Sequence, residues 1–555
     1  MHHEILLLAL PIGLSFLVSL LARRSAAVAR WIAFLAYLAA LAYALALFPS
    51  VLSSARAVIV AGWLPPLGIA LFLSPLSLGA VALVYLIAAL AALYNLSSPG
   101  EGGRPEGGRS ARGVALQALF VLGGVGMVLT ADLFNAFVFL EIAGISAFAL
   151  VASGRPLQLR QAAAANVPVT SVENKGAAAV DRKSASAEPP AEAAPSAVST
   201  SGSLRYLVAA QTASLFMLLG IGLLYSATGL LTLPSLVSHP ALKSSFGLLT
   251  ALLLLFPVLL ETKIVPLNFW VGRAYAGAPA GFAASLSGIG ATAAAVLLLR
   301  MLSVMGSGSA FAETAGELRG VLLLLGSLTV LVGETAAFRE ADLKKVLAWS
   351  SAGQMGVVLV GAALPAGEAA AWVLFFLASH AAAKALLFLL AGFFAARAGT
   401  NRWKAMKGLG RLHPLAAGLF AVGALSLMGL PLFAGFWGKL GVLRAAFSSG
   451  GAAVLAAAAI LLGTVAEGVY FLRIAHSLFE APAAESGAPA AGSGTPARTP
   501  VPAGVLLPAL ILAAAVLLLG VRPSLAMRVI APAAQELVSP DEQYAQKILP
   551  SGASR

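Results

Sequence analysis

The chain has 555 residues, of which 60% are hydrophobic and 10% charged; its formal net charge is +13 and it has no cysteine. Soluble domains average nearer a quarter charged residues. The apolar residues here fall in runs long enough to cross a bilayer, roughly 20 residues each, so a soluble globular fold is excluded. The positive charge is read as the Lys and Arg that flank membrane spans, not as a nucleic-acid surface, and the missing cysteine removes disulfides, thiolate nucleophiles and Cys-ligated zinc or iron–sulfur clusters.

In chain order, about fourteen spans are predicted by the bilayer criterion: 4–22, 28–48, 67–95, 113–131, 132–152, 205–229, 246–271, 280–305, 319–338, 343–363, 367–396, 412–447, 452–479 and 503–521. The first begins almost at Met1 with no basic leader or cleavage site, and is read as a retained helix. The fold class is all-α and polytopic. Residues 153–204 and 480–502 are rich in Ala, Ser, Pro and charge and are expected to be flexible cytoplasmic segments without a catalytic core.

Basic residues set the expected orientation. With the N-terminus outside, inner loops carry Arg23, Arg24 and Arg30, then Arg104, Arg109 and Arg112, then Arg339, Lys344 and Lys345, then Arg397, Arg402, Lys404, Lys407 and Arg411. Arg56, Lys243 and Arg319 stand largely alone on the other side. Both termini then face outward, in a multi-pass protein of the cell's inner (plasma) membrane.

Ionisable residues inside spans cost roughly 2.5–3.5 kcal/mol each on insertion scales and mark function by default. Glu141, in "TADLFNAFVFLEIAGISAFAL", lies nine residues past Asp132, roughly 14 Å along a helix and so near mid-membrane. The plainer reading is a protonated Glu packed on a neighbouring helix. Asp132 reads as an interfacial helix start, with Thr130 as a cap. In "ETKIVPLNFWVGRAYAGAP", Glu261 and Lys263 sit in an apolar run that Pro266 breaks. Proline lacks an N–H and clashes with the carbonyl four residues back. A break at membrane depth is tolerated only where protein or water satisfies the freed backbone. Lys263 is therefore expected in a hydrated pocket; the alternative is snorkelling to the interface.

"LKKVLAWSSAGQMG" adds Ser350, Ser351 and Gln354, able to hold water or to bond between helices. In "ASHAAAKALLFLLAG", His380 and Lys384 are four apart and share a helix face. The six histidines are scattered, so a proton relay is favoured over a metal site. "LSLMGLPLFAGFWGKLGVL" repeats the earlier pattern: Pro431 and three glycines interrupt the span and Lys439 sits close by. Paired breaks of this kind point to internal repeats and an ion path. Glu334 and Glu467 are secondary candidates.

These motifs, in this order and with "GWLPPLGIALFLSPLSL" upstream, resemble the antiporter-like proton-pumping family. Its members are the large membrane-arm subunits of respiratory complex I, the D component of multisubunit Na⁺/H⁺ antiporters and the matching subunits of membrane-bound hydrogenases. The resemblance implies two inverted five-helix repeats with broken seventh and twelfth spans. It implies an organisation into 1–112 (first spans), 113–305 (first repeat, with the 153–204 insertion), 306–479 (second repeat), 480–502 (linker) and 503–555 (last span and tail). It matches Glu141 and Lys263 to an input ion pair, His380 and Lys384 to a central pair, and Lys439 to the terminal group. The family's usual eighth-span lysine would fall near Thr292 and is absent; Ser74, Arg205, Asn268 and Arg273 are further departures, so a central relay would run through water or Thr292, or be impaired. The lysine at 439 and the segment "EGVYFLRIAHSLF" point to the antiporter-D or hydrogenase branch.

The expected function is therefore H⁺ translocation, with Na⁺ as a candidate exchange ion, by an integral subunit of a larger redox or antiporter complex. Its partners would be other membrane subunits. The chain would hold no metal, cofactor or redox chemistry of its own. The alternatives are a non-pumping scaffold and a membrane enzyme; the latter lacks a loop able to carry an active site.

Overall fold

The computed structural model describes residues 3–21, 25–53, 55–63, 68–97, 107–153, 197–236, 245–307, 312–481 and 500–540. Most of the predicted flexible segments 153–204 and 480–502, together with Arg23, Arg24, Arg104 and Lys243, lie outside the described residues. The protein is nearly all helical. Its longer helices are α1 (Leu6–Leu21), α2 (Ala26–Ser53), α3 (Pro75–Ser97), α4 (Gly107–Leu129), α5 (Leu133–Ser153), α6 (Ala197–Thr228) and α7 (Ser245–Glu261). There follow α8 (Val271–Gly277), α9 (Ala280–Ser285), α10 (Ala291–Ser307), α11 (Ala312–Arg339), α12 (Leu343–Ala362) and α13 (Ala366–Ala398). The last are α14 (Pro414–Met428), α15 (Ala434–Ser449), α16 (Ala452–Phe479), α17 (Ala503–Val521) and α18 (Pro523–Val538).

Eleven described helical stretches are long and apolar enough to cross a membrane. They correspond to eleven of the predicted spans. The other three, 246–271, 343–363 and 412–447, are the ones that carry the breaks or the polar run: α7 and α14 are shorter apolar helices, and α12 holds Lys344, Lys345, Ser350, Ser351 and Gln354. Residues 280–301 are buried throughout and 373–395 nearly so, so these two stretches form the middle of the bundle. Around them, Phe16, Leu455 and Val521 are exposed large apolar residues, as expected of a lipid-facing surface.

The structure corrects the predicted 67–95 span. Its first residues are extended: β1 (Arg56–Ile59) pairs antiparallel with β2 (Ala70–Leu73), Arg56 opposite Leu73. The helix begins only at Pro75, a residue suited to a first helical position, after Ser74, whose Oγ accepts the Ser77 N–H at 3.0 Å. Asp132 and Asp342 cap α5 and α12 in the same way, accepting from Asn135 N (2.9 Å) and Lys345 N (3.1 Å). Asp132, not Thr130, is thus the cap; Thr130 Oγ1 instead accepts the Asp132 N–H.

Loop contacts sort the ends into two sides. On one, Glu4 pairs with Arg56 at 3.0 Å, and residues 131 and 133 bond to the 231–233 segment. On the other, Arg30 donates to Asn95 O, Leu343 N to Asn401 O, and Lys407 pairs with Glu480 at 3.0 Å.

Candidate functional site

The two predicted helix breaks share one backbone device. At the end of α7, Ile264 N donates to Leu259 O and Lys263 N to Leu260 O. These are the 6→1 and 5→2 bonds that close a helix when the residue after the cap is left-handed. That residue is Lys263, at φ 63°. At the end of α14, Leu430 N donates to Leu425 O and Gly429 N to Ser426 O, with Gly429 at φ 75°. The second break uses the glycine that such a turn prefers; the first holds a lysine there against that preference. Pro266 and Pro431 follow and keep the helix from resuming.

Both breaks bring a lysine to a helix C-terminus, where the backbone dipole favours a cation. Lys263 does so by sequence. Lys439 does so by packing: α15 lies against Gly429, and its Nζ donates to Leu427 O at 2.8 Å. Lys439 also pairs with Glu467 Oε2 at 3.0 Å and bonds Thr464 Oγ1 at 3.2 Å.

From Lys263 a run of buried polar groups crosses the bundle. Its Nζ donates to Ser351 Oγ at 2.8 Å and lies 4.9 Å from the Tyr275 ring centroid. Ser351 Oγ is 3.1 Å from Ser287 Oγ and 3.4 Å from His380 Nε2. Ser287 lies in a wide π turn, Leu286–Gly290, inserted between α9 and α10; such insertions recur at functional sites. One turn on from His380, Lys384 Nζ donates to Ser350 Oγ at 2.7 Å and to Leu347 O at 3.0 Å. Ser350 lies beside Tyr470, whose hydroxyl donates to Glu334 Oε2 at 2.7 Å. Gln354 Nε2 donates to Glu467 Oε1 at 2.9 Å, joining α12 to the Lys439 pair. Lys263, His380, Lys384 and Glu467 are at most 1% exposed.

Glycines bring α12 close enough for this. Gly326 and Gly333 on α11 face Gly356 and Gly353 on α12; an added Cβ would strike the partner backbone at Gly326, Gly333 and Gly356, and the Glu334 carboxylate at Gly353. Small residues at such crossings are how membrane helices approach closely.

The structure departs from the expected input pair. Among the described residues Glu141 and Lys263 form no direct ion pair. Glu141 Oε2 accepts from Gln211 Nε2 at 2.7 Å, and its Oε1 is buried without a protein partner. Glu261 accepts from Tyr206 at 2.9 Å. The two carboxylates line one small cavity with Gln211 and Ser214. Thr292 Oγ1 and His380 Nδ1 are likewise buried without a protein partner. Arg273 is exposed.

The sequence reading missed Tyr206, Gln211, Ser287, Thr464 and Tyr470, and did not rank Glu261. A lone hydroxyl or amide in an apolar helix gives no periodic signal. Glu261 carries the same signal as Lys263, an ionisable residue within an apolar run. No group of three or more His, Asp or Glu suited to a metal occurs among the described residues.

The comparisons with known proteins agree with this architecture. A family model described as "NADH:quinone oxidoreductase/Mrp antiporter, TM" matches residues 193–465. The chain is 30% identical over 533 residues to an NADH-quinone oxidoreductase subunit N from Desulforudis audaxviator, covering 94% of this chain and 95% of the relative. It is 29% identical over 348 residues to the D component of an Na⁺/H⁺ antiporter from Alkalihalophilus pseudofirmus, covering 62% and 61%. Among solved structures, a chain of an archaeal membrane-bound sulfane sulfur reductase superposes with TM-score 0.81 at 26% identity, covering 98% of this chain and 99% of that one. A chain of the Mrp complex from Dietzia sp. superposes with TM-score 0.81 at 25% identity, covering 99% and 100%. This chain therefore belongs to the NADH:quinone oxidoreductase/Mrp antiporter transmembrane family, and it is an antiporter-like membrane subunit.

Proposed function

We propose that the chain moves protons across the membrane along the line Glu141, Lys263, His380, Lys384 and Lys439, as one subunit of a larger membrane complex. The observation that carries this reading is the run of buried ionisable and hydroxyl groups from Lys263 to the Lys439–Glu467 pair, several links of which are hydrogen bonds of 2.7–3.1 Å. Such groups are costly in a membrane interior. The unpartnered atoms of Glu141, Thr292 and His380 are supported as water positions, since buried polar atoms are otherwise nearly always satisfied. Glu334, Glu467 and Thr292 join the path as secondary groups. Glu141 and Glu261 together form its entrance, in place of a direct Glu141–Lys263 pair.

The shared backbone device at Lys263 and Gly429 supports two related repeats, within a fourteen-span fold whose basic loops face inward. Na⁺ is a candidate exchange ion, and the protein is assigned to the cell's inner membrane. The absent lysine at Thr292 favours a second reading, a subunit that has lost pumping and serves as a scaffold. Proton uptake by inverted vesicles containing the complex separates the two. Lys263→Met with normal assembly is expected to abolish uptake; unchanged uptake would sink the pumping reading.

A further inference from the structure

A cavity of about 290 Å³, apart from the polar run, lies where α7, α10, α11, α13 and α18 meet. Leu248, Leu302, Leu322, Val373 and Leu537 are among its walls, and Arg319 is the one charged residue of its lining among the described residues. The wall's own hydroxyl is satisfied: Ser303 Oγ donates to Leu537 O at 2.6 Å. Among the described residues, by contrast, Arg319 makes no ion pair or side-chain hydrogen bond.

The position of the cavity fixes its depth. Leu248 is near the start of α7, Ser303 and Met305 near the end of α10, and Leu537 near the end of α18; the turn joining α12 to α13 closes it. All are helix ends on one side, the level at which lipid headgroups meet a membrane-spanning bundle. A dry apolar cavity about half this size already binds a small hydrocarbon. A cation at headgroup depth attracts anionic lipid, by about 1 kcal/mol for each basic residue.

We propose that this cavity holds one acyl chain of an anionic glycerophospholipid whose phosphate rests on Arg319. The chain excludes water from a space that leucine side chains cannot fill, and the phosphate gives Arg319 a counter-charge that the described residues do not.

The test uses the full chain in vesicles with phosphatidylglycerol or phosphatidylcholine analogues bearing a diazirine in one acyl chain. In the wild type, cross-links should map to residues 299–305 and 370–373, with about fivefold more label from phosphatidylglycerol. Arg319→Gln should bring the two labels level and Arg319→Lys should restore the difference. Ala370→Trp, which fills the cavity, should remove both. Equal labelling of the wild type by the two lipids would overturn the proposal. So would labels confined to outward-facing residues such as Leu455, or displacement of the lipid by a short-chain quinone at equal concentration.

Discussion

The Lys439 ammonium lies 3.0 Å from the Glu467 carboxylate, with both side chains at most 6% exposed. The pair bridges α15 and α16 beneath the second helix break, and Gln354 ties it to α12. Breaking a buried pair by removing one partner typically costs about 3–5 kcal/mol, because the other charge is left uncompensated. Glu467→Gln is therefore expected to lower thermal stability in detergent sharply. Removing both charges, in Lys439→Met with Glu467→Leu, should recover most of the loss. A double variant as unstable as the single one would show that the charges are not coupled.

Ser351 is the shared contact of Lys263, Ser287 and His380. Ser351→Ala removes the hydroxyl and little volume. Assembly should be retained, while vesicle proton uptake should fall by about a hundredfold or more, in the range lost when a positioned proton-transfer group is removed. Ser351→Thr should keep part of the activity. Equal uptake by the alanine variant and the wild type would direct the path around this residue.

Thr292 sits in the middle of the buried stretch 280–301 with its hydroxyl unpartnered by protein. Thr292→Val keeps the shape and removes the hydroxyl. If Thr292 holds water for the relay, uptake should drop while the melting temperature stays within a few degrees. A loss of stability without a loss of uptake would make the hydroxyl structural.

Gly353 allows the Glu334 carboxylate to lie against α12. Gly353→Ala should push Glu334 away from Tyr470 and destabilise the α11–α12 crossing by about 1–3 kcal/mol, the usual cost of overpacking. Denaturation in detergent measures it. A stabilised alanine variant, as expected at an uncrowded helical glycine, would contradict the close approach.

Asp132 caps α5 through the Asn135 N–H. Asp132→Ala should cost about 1 kcal/mol and Asp132→Asn much less, since asparagine caps equally well. Thermal melts of the two variants distinguish this role from one that needs the charge.

How far the fold was legible depends on the length of the signal. Spans such as 132–152 and 452–479 were readable because twenty or more apolar residues leave no other structure available in a membrane. The start of α3 was not, since the apolar residues of β2 carry the same hydropathy as a helix and only pairing with β1 makes them extended. At the site, costly ions announced themselves: Lys263, Lys384, Lys439 and Glu141 were all singled out. So were the lysines' partners Ser351, Ser350 and Glu467; Gln211 and Tyr206, the partners of Glu141 and Glu261, were not, because those bonds run between helices far apart in sequence. The expected Glu141–Lys263 contact also required a geometry that motif spacing does not encode.

If Lys263 carries protons, as proposed, its left-handed backbone sets folding and activity against each other at a single codon. Glycine there would relax the backbone and is expected to give about 1 kcal/mol more stability than methionine or alanine. A library of variants at this position ranked by abundance in the membrane would therefore enrich glycine, and the same library ranked by transport would discard it. Opposed rankings at this residue would mark the lysine as kept for what it does, at a place where the chain would fold better without it.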